Sequence, residues 1–200
     1  MSGSILEAKA ELRRQLKEEG TRHSAEERQI ASAAIRSSLL QWTRWKHASS
    51  VLIFHPLPDE PDLLPLVKES LVLGRTVALP AFDVATQSYV ALQIRDFDSD
   101  LVSGRFGVKE PRAGCPRVPI NRLDFALVPG VGFDLMGGRL GRGRGYYDRL
   151  LAGVDANKCG VGFDWQVRVA IPLESHDIRL EFLVTQSRLL NVLCGGVELE

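Results

Sequence analysis

The beginning of the chain is patterned for helices. Its first segment carries apolar side chains three or four positions apart, which predicts an amphipathic helix with a narrow apolar stripe of Ile5, Ala8, Leu12 and Leu16. A second helix is predicted from Ser24 towards Trp42, because Ser24 followed by Glu27 matches the capping box of a helix N-terminus. We expect these helices to form an N-terminal helical arm.

Beyond Trp42 the pattern changes to short apolar runs that alternate with helical segments. Buried strands are predicted at 50–54, 76–79, 125–128, 159–163 and 182–184. A more amphipathic run at 88–94 predicts a strand nearer a sheet edge, and Pro80 is expected to end the strand before it. Helices are predicted at 63–73 and from Tyr146. This alternation predicts an α/β fold with helices on both faces of a mainly parallel sheet.

The rest of the chain adds little to this organisation. Residues 96–121 are rich in glycine, proline and charged side chains, and we expect them to be mostly loop. No break in composition marks a linker, so residues 1–200 are expected to form a single domain. Residues from about 190 to 200 carry no motif and are expected to be a short tail.

Composition limits the classes of function. The chain has 25 basic and 25 acidic side chains, which argues against a protein that coats nucleic acid or a membrane with its whole surface. Cys115, Cys159 and Cys194 form no CxxC pair, so we expect neither a disulfide scaffold nor a zinc ribbon. No apolar run approaches the roughly 18 to 20 residues of a membrane span. We therefore expect a soluble cytoplasmic protein without nucleic-acid or membrane partners. We also expect either a monomer or a weak homodimer, although composition does not determine this.

One segment, residues 137–148, is rich in glycine and arginine. It follows a predicted strand and leads into a helix, where α/β proteins bind ligands. Glycines at 141, 143 and 145 let the backbone approach a ligand closely. Forked donors suited to phosphate oxygens are supplied by Arg139, Arg142 and Arg144. The segment therefore predicts a polyphosphate site.

The common phosphate-binding patterns do not match this segment. It contains no GxxxxGK[ST], and Tyr146 stands where a GxGxxG pattern needs its last glycine. A solvated loop and an RNA-binding segment similar to RGG repeats therefore remain alternatives. Asp148 is the magnesium candidate within the segment, because Mg²⁺ prefers one or two carboxylates together with substrate phosphates. Its alternative role is that of an acid in the first turn of a helix.

The same segment resembles the signature of 5-formyltetrahydrofolate cyclo-ligases. The resemblance rests on PGVGFD at 129–134 and RLGRGRGYYD at 139–148. Collinear similarities extend it to KAELR at 9–13, the helix start at Ser24, the run 54–60 that ends on an acid, and an Ile-Pro and a His-Asp pair within 171–177. Together they span nearly the whole chain.

The resemblance implies a fold and a reaction. The fold is a three-layer α/β/α sandwich around the mainly parallel sheet. The reaction is an ATP- and Mg²⁺-dependent cyclisation of 5-formyltetrahydrofolate to 5,10-methenyltetrahydrofolate, with release of ADP and phosphate through a phosphorylated formyl (iminium phosphate) intermediate. Phosphoryl transfer needs positioning and charge neutralisation more than a side-chain nucleophile, which suits the arginines of the segment.

The resemblance also implies roles for individual residues. The implied ATP-binding residues are Lys9, Arg13, Arg139, Leu140, Gly141, Arg142, Gly143, Arg144, Gly145, Tyr146 and Tyr147. The implied catalytic residues are Arg142, Arg144 and Tyr146. The implied folate-binding residues are His55, Glu60, Phe106 and Tyr147, and the implied metal-binding residues are Asp148 and Asp177.

Two alternative functions remain open at this point. His55 replaces a residue that is more often apolar or small in the family, which keeps open a relative that acts on another formylated substrate. A non-catalytic nucleotide- or RNA-binding module on the same fold would also explain the glycine- and arginine-rich segment. The collinear matches at Lys9, Glu60, Asp148 and Asp177 argue against such a module.

Overall fold

The computed structural model describes residues 4–104, 107–152, 156–193 and 196–199. Its α-helices within these ranges are α1 (Ile5–Thr21), α2 (Ala25–Gln41), α3 (Thr43–His47), α4 (Leu64–Val72) and α5 (Tyr146–Leu151). Its strands there are β1 (Ser50–Leu52), β2 (Thr76–Asp83), β3 (Ser88–Ile94), β4 (Leu101–Ser103), β5 (Lys109–Pro111), β6 (Phe125–Pro129), β7 (Gly132–Asp134), β8 (Arg139–Leu140), β9 (Asn157–Val161), β10 (Val167–Arg168), β11 (Phe182–Val184), β12 (Leu189–Asn191) and β13 (Val197–Glu198).

The main sheet of the described chain has the strand order β13-β12-β11-β9-β6-β1-β2-β3. Within the run β11-β9-β6-β1-β2, all neighbouring strands pair in parallel. Antiparallel strands flank this centre, with β3 on one side and β12 and β13 on the other. These pairings confirm the mainly parallel sheet and the edge position predicted for residues 88–94.

The central strands send alternate side chains to opposite faces of the sheet, and both faces are buried. Val51 and Ile53 pack with α2, α3 and α4, whereas Leu52 packs on the opposite face with α5. In β6 the same alternation separates Phe125 from Ala126. Helices therefore cover both faces of the sheet, which confirms the predicted α/β/α layers.

The N-terminal arm is only partly buried. In α1, Leu16 packs with Leu140 and Ile171, while Ile5 at the other end of the predicted stripe is 46% exposed.

The capping box predicted for α2 is present: the Glu27 amide donates to Ser24 Oγ at 3.1 Å, and the Ser24 amide donates to the Glu27 carboxylate at 2.6 Å. Capping thus fixes the start of α2 as the sequence indicates.

The prediction that Pro80 ends its strand is wrong, because β2 continues to Asp83. The parallel pairing of β2 with β1 stops at Ala78, before the proline. On the other side Pro80 lies opposite Ala91, whose carbonyl accepts from the Val118 amide instead of pairing with β2. No neighbouring strand therefore needs an N–H from position 80, and β2 continues through Pro80 without losing a ladder hydrogen bond.

Two further segments differ from the expectations. Residues 96–121 contain the hairpin of β4 and β5, whose register joins Val102 to Glu110. The end of the chain, expected to be a short tail from about residue 190, contributes β12 and β13 to the sheet. Neither segment has a long apolar run that would signal these strands. No helix within the described ranges is long and apolar enough to cross a membrane.

Candidate active site

A cleft of about 620 Å³ opens beyond the carboxyl ends of β1 and β6. This is where parallel α/β sheets bind ligands. The cleft brings together the predicted site residues Lys9, Arg13, His55, Glu60, Arg139, Leu140, Gly141, Arg142, Gly143, Arg144, Gly145, Tyr146, Tyr147, Asp148 and Asp177. Phe106, predicted as a folate-binding residue, lies outside the described residues.

The glycine- and arginine-rich segment begins as a tight hairpin between β7 and β8. Asp134 fixes this turn, because its buried carboxylate accepts from the amides of Met136, Gly138 and Ile171 at 2.7 to 2.8 Å. Gly137 has a φ of 80°, and a Cβ there would lie 2.4 Å from the Leu180 carbonyl oxygen. Only glycine fits this position. The hairpin delivers residues 141–145 to the cleft as a loop.

Arg139 is built into the wall of the cleft. Its guanidinium donates to Asp148 Oδ1 at 2.7 Å and to the Pro129 carbonyl at 3.3 Å, and it lies 5.8 Å from the centre of the Tyr147 ring. The side chains of Arg139 and Asp148 are 4% and 16% exposed. Asp148 is therefore the partner of a buried arginine as well as an acid in the first turn of α5.

Lys9 of α1 is buried between two acids. Its Nζ lies 2.6 Å from Asp177 Oδ2 and 2.8 Å from Glu174 Oε2. Burial alone lowers the pKa of Lys9, but its bonds to the two carboxylates outweigh this and raise it. Burial raises the pKa of Asp177, but the hydrogen bond from the Glu174 amide and the contact with Lys9 outweigh this, so the net shift of its pKa is downward. The pair is therefore charged near neutral pH.

Arg13 lies one turn after Lys9 and supports the loop that lines the cleft. Its Nε donates to the Gly141 carbonyl at 2.8 Å. A Cβ at Gly143, where φ is 92°, would lie 3.5 Å from the Arg13 guanidinium carbon. Arg13 thus packs along the glycine backbone, which joins α1 to the loop.

Arg142 reaches from the same loop to the acids that follow β1. Its Nη2 lies 2.7 Å from Asp59 Oδ1 and 3.2 Å from Glu60 Oε1. The side chain of Glu60 is only 8% exposed, and its Oε2 accepts from the Leu57 amide at 2.9 Å. Burial raises the pKa of Glu60, an effect that the Leu57 amide and Arg142 partly offset. The predicted nucleotide loop and the predicted folate carboxylate are thus in direct contact.

Aromatic rings form another part of the cleft wall. The Tyr89 and Tyr146 ring centres are 5.3 Å apart, and Tyr147 lies 6.1 Å from Tyr89. Desolvation, with a smaller contribution from the Glu60 charge, raises the pKa of Tyr147 well above its usual value, so its hydroxyl stays protonated. Burial lowers the pKa of His55, whose buried Nδ1 has no hydrogen-bond partner among the described residues. The Tyr89 and Tyr146 rings are inclined at 84° to each other, so this wall is aromatic but not flat.

Sequence reasoning missed several residues of the cleft. They are Phe54, Leu57, Tyr89, Lys109, Glu110 and Glu174. Glu174 lies in the 171–177 segment that carries the His-Asp match, so its spacing from Asp177 was a usable signal. Lys109 and Glu110 come from the hairpin of β4 and β5, which no periodic pattern announces.

The cleft is divided by charge. One half is formed by α1, β8, the loop 141–145, the start of α5 and residues 174–177. It carries five basic side chains, Lys9, Arg13, Arg139, Arg142 and Arg144, against three acidic ones, Asp148, Glu174 and Asp177; we call it the basic half. The other half follows β1 and adjoins β3 and β5. Its charged side chains are Glu60, Glu110 and Lys109, beside His55 and Tyr89; we call it the acidic half. Fold and cleft together define an α/β protein with one ligand cleft whose two halves differ in charge.

Comparisons with known proteins show the family to which the chain belongs. Residues 5–186 match the model of the 5-formyltetrahydrofolate cyclo-ligase family. The chain belongs to this family, and it is an enzyme of the ligase class. It is 33% identical to the 5-formyltetrahydrofolate cyclo-ligase of Escherichia coli K12 over 70% of this chain and 80% of the relative. It is 26% identical to that of Mus musculus over 89% and 93% of the two chains.

Solved structures agree with this membership. The 5,10-methenyltetrahydrofolate synthetase of Aquifex aeolicus superimposes with a TM-score of 0.83 at 36% identity, covering 96% of each chain. The 5,10-methenyltetrahydrofolate synthetase of Mycoplasma pneumoniae gives a TM-score of 0.71 at 20% identity, covering 89% of this chain and 98% of that one. The second likeness supports the fold alone.

Proposed function

We propose that this enzyme cyclises 5-formyltetrahydrofolate to 5,10-methenyltetrahydrofolate in a reaction that consumes ATP and releases ADP and phosphate. The observation that carries this proposal is the contact between Arg142 and Glu60. It joins a basic half suited to a polyphosphate to an acidic half suited to a pterin within one cleft. Two such ligands bound side by side would bring a formyl oxygen next to a terminal phosphate.

The basic half supports binding of the ATP phosphates. Lys9, Arg13, Arg139, Arg142 and Arg144 line it together with the backbone of residues 141–145. Arginine forks and backbone amides suit phosphate oxygens, and a desolvated wall strengthens these contacts. Arg139 is already held by Asp148, so its role is to carry charge in a fixed position. Arg142 and Arg144 are the more exposed donors of the loop, and we propose them, with Tyr146, as the catalytic residues.

The acidic half supports binding of the folate. An ionised carboxylate accepts two donors side by side, so Glu60 can accept the ring N–H and the amino group on the pyrimidine edge of a pterin. His55 and Tyr147 line the same region. The aromatic wall offers faces for ring stacking.

The reaction then follows in two steps. The formyl oxygen attacks the γ-phosphorus, the bond from that phosphorus to the bridging oxygen breaks, and ADP leaves. N10 attacks the formyl carbon, the bond from that carbon to the phosphorylated oxygen breaks, phosphate leaves and the N10 proton is lost. Arg142 and Arg144 neutralise charge on the phosphoryl group during transfer, and Tyr146 packs beside the reacting groups.

Asp148 and Asp177 are the residues that we propose for magnesium. The donor set fits, because Mg²⁺ is commonly held by one or two carboxylates plus substrate phosphates. The described ranges contain no group of three or more His, Cys, Asp and Glu side chains suited to a metal ion, so the phosphates would have to complete the coordination. Bound there, the ion would shield the charge between the transferred and leaving phosphates.

A spectrophotometric assay tests this proposal. Purified protein with 5-formyltetrahydrofolate, ATP and Mg²⁺ should produce the absorbance band of the methenyl product. Omission of ATP or of the formylated folate should abolish the band, and chelation of Mg²⁺ should suppress it strongly. A protein that forms no ATP-dependent product with 5-formyltetrahydrofolate would contradict the proposal and point to another formylated substrate. We further propose a cytoplasmic enzyme that acts as a monomer or weak homodimer.

A further inference from the structure

The end of α1 carries an aromatic contact that none of the roles proposed above uses. The ring of His23, two residues beyond the helix, stacks on Trp165 with ring centres 3.7 Å apart and planes inclined at 15°. Trp165 in turn stacks on Phe163, at 4.3 Å and 14°. We call these three rings the His23 stack. The described lining of the cleft does not include His23 or Trp165.

Stacking, and not hydrogen bonding, places the His23 ring. Its Nε2 is buried and has no hydrogen-bond partner among the described residues, and its Nδ1 lies 4.0 Å from the Glu27 carboxylate. The backbone is fixed from α2, because Arg28 Nη1 donates to the carbonyls of Gly20 and His23 at 3.1 and 2.8 Å. The turn between α1 and α2 therefore presents the His23 ring to Trp165 in a defined position.

The other end of the stack belongs to the wall of the cleft. Phe163 is buried after β9, and Trp165 lies in the 3₁₀ turn Asp164–Gln166. From the same turn, Gln166 donates to the carbonyls of Gly130 and Val131, each at 3.1 Å, and Gly130 lines the cleft. The stack thus connects α1 to the turn that holds this part of the wall.

α1 depends on such an anchor because little of it is buried. Of its 17 residues, all within the described range 4–104, only Lys9 and Leu16 are buried. The element that α1 contacts most extensively in the described structure is the 3₁₀ turn Asp164–Gln166. Lys9 and Arg13 are held by groups of the cleft itself, and bound phosphates would compete for both cations. Leu16 and the His23 stack, in contrast, hold α1 whether or not a ligand is bound.

We propose that the His23 stack positions the basic half for the nucleotide, by fixing α1 so that Arg13 meets the phosphates. This inference rests on the proposed function. Lys9 is also held by two acids, whereas among the described residues Arg13 has one hydrogen bond, to the Gly141 carbonyl, so Arg13 depends most on where the helix lies. His23 and Trp165 are thus positioning residues that act through α1. The acidic half comes from other elements and does not depend on the stack.

Calorimetric titrations of the wild type and of His23→Ala test this inference, with a non-hydrolysable ATP analogue plus Mg²⁺ and with 5-formyltetrahydrofolate. His23→Ala removes one ring at the end of a helix, outside the sheet, so circular dichroism should show an unchanged fold. The variant should bind the nucleotide about 5- to 10-fold more weakly, the equivalent of one lost aromatic pair. Its affinity for the folate should change less than about twofold.

Two matched variants make the titrations specific. His23→Phe keeps a ring that can stack and loses no hydrogen bond of Nε2, so it should return the nucleotide affinity to within about twofold of the wild type. Arg22→Ala changes the neighbouring residue, whose side chain is 71% exposed and pairs with Glu19, and should alter neither affinity by more than about twofold.

A double-mutant cycle shows whether the stack acts through Arg13. In an Arg13→Ala background, His23→Ala should weaken the nucleotide by about twofold or less, because the cation that the stack positions is already gone. The inference is overturned if His23→Ala leaves nucleotide affinity unchanged, weakens both ligands equally, or has the same effect in both backgrounds. A wild type that binds no nucleotide or no folate would overturn the proposed function, and this inference with it.

Discussion

The two halves of the cleft are built in different ways. The basic half comes largely from one continuous segment, residues 139–148, together with one face of α1. The acidic half is assembled from residues after β1, from β3 and from β5, which are distant in sequence. A continuous motif suits a ligand whose phosphates need many similar donors, whereas a ring with distinct edges requires acceptors from several directions. Predictions that separate the two halves therefore test the account.

The largest expected effect is on the free energy of unfolding, and it should differ between two arginines of the basic half. Arg139→Ala should lower the free energy of unfolding by about 3 to 5 kcal/mol, because it leaves the poorly exposed Asp148 without its partner. Arg144→Ala, an exposed position in the same loop, should change it by about 0.5 kcal/mol or less. Urea denaturation followed by circular dichroism measures both. Similar losses for the two variants would show that Arg139 is not a structural part of the wall.

Arg142 is expected to act on catalysis rather than on folding. Arg142→Ala should reduce turnover about 100- to 1,000-fold, because it removes a donor to the transferred phosphoryl group. Arg142→Lys should restore only part of this loss, since an ammonium does not reproduce the forked donors. The methenyl absorbance assay measures turnover, and circular dichroism checks the fold. Turnover near that of the wild type in Arg142→Ala would remove this residue from the mechanism.

The acidic half is tested by two neighbouring acids. Glu60→Gln should raise KM for 5-formyltetrahydrofolate about 10- to 100-fold, because it replaces a buried acceptor of two N–H donors. Asp59→Asn is the matched control: Asp59 also contacts Arg142, but its side chain is 64% exposed, so KM should change less than about fivefold. Steady-state kinetics at saturating Mg-ATP distinguishes the two. Equal effects would mean that the contact with Arg142, and not the folate, determines KM.

The smallest expected effect is a pH dependence in the acidic half. Burial raises the pKa of Glu60, and only its ionised form accepts both pterin donors. Folate affinity should therefore fall as pH decreases through the raised pKa, by no more than about tenfold per pH unit. In the free protein the sign is opposite: the folded state holds this proton more tightly than the unfolded state, so stability falls as pH rises through that window.

Titrations over a pH series with the wild type and with Glu60→Gln measure this effect. The variant lacks the titrating carboxyl, so its folate affinity should lose that pH dependence. An identical pH profile for both proteins would assign the dependence to another group.

The sequence predicted the basic half better than the acidic half, and the structure gives the reason. Residues 139–148 are contiguous, so their order along the chain already brings the arginines together. Sequence could not separate the buried Arg139 from the exposed Arg144, because the difference depends on contacts with Pro129 and Asp148. Gly141, Gly143 and Gly145 also look equivalent in the sequence, because their different contacts appear only in the structure.

The acidic half depends on tertiary contacts that local patterns do not record. Glu110 lies in a segment expected to be mostly loop, and its place in the cleft follows from the hairpin of β4 and β5 packing against β2. The same limit explains the wrong prediction at Pro80. β2 tolerates this proline because its pairing with β1 ends before it, and the sequence does not show where that pairing ends. The short apolar runs of the central strands and the capping box at Ser24, in contrast, are local signals, and both predictions were confirmed.

The central claim is that the two halves of one cleft bind two different ligands. It is tested most directly by titrating Arg144→Ala and Glu60→Gln separately with a non-hydrolysable ATP analogue plus Mg²⁺ and with 5-formyltetrahydrofolate. We expect Arg144→Ala to weaken the nucleotide about tenfold and leave the folate unchanged, and Glu60→Gln to do the reverse. If each variant weakened both ligands equally, or if Glu60→Gln weakened only the nucleotide, the division of the cleft would be contradicted.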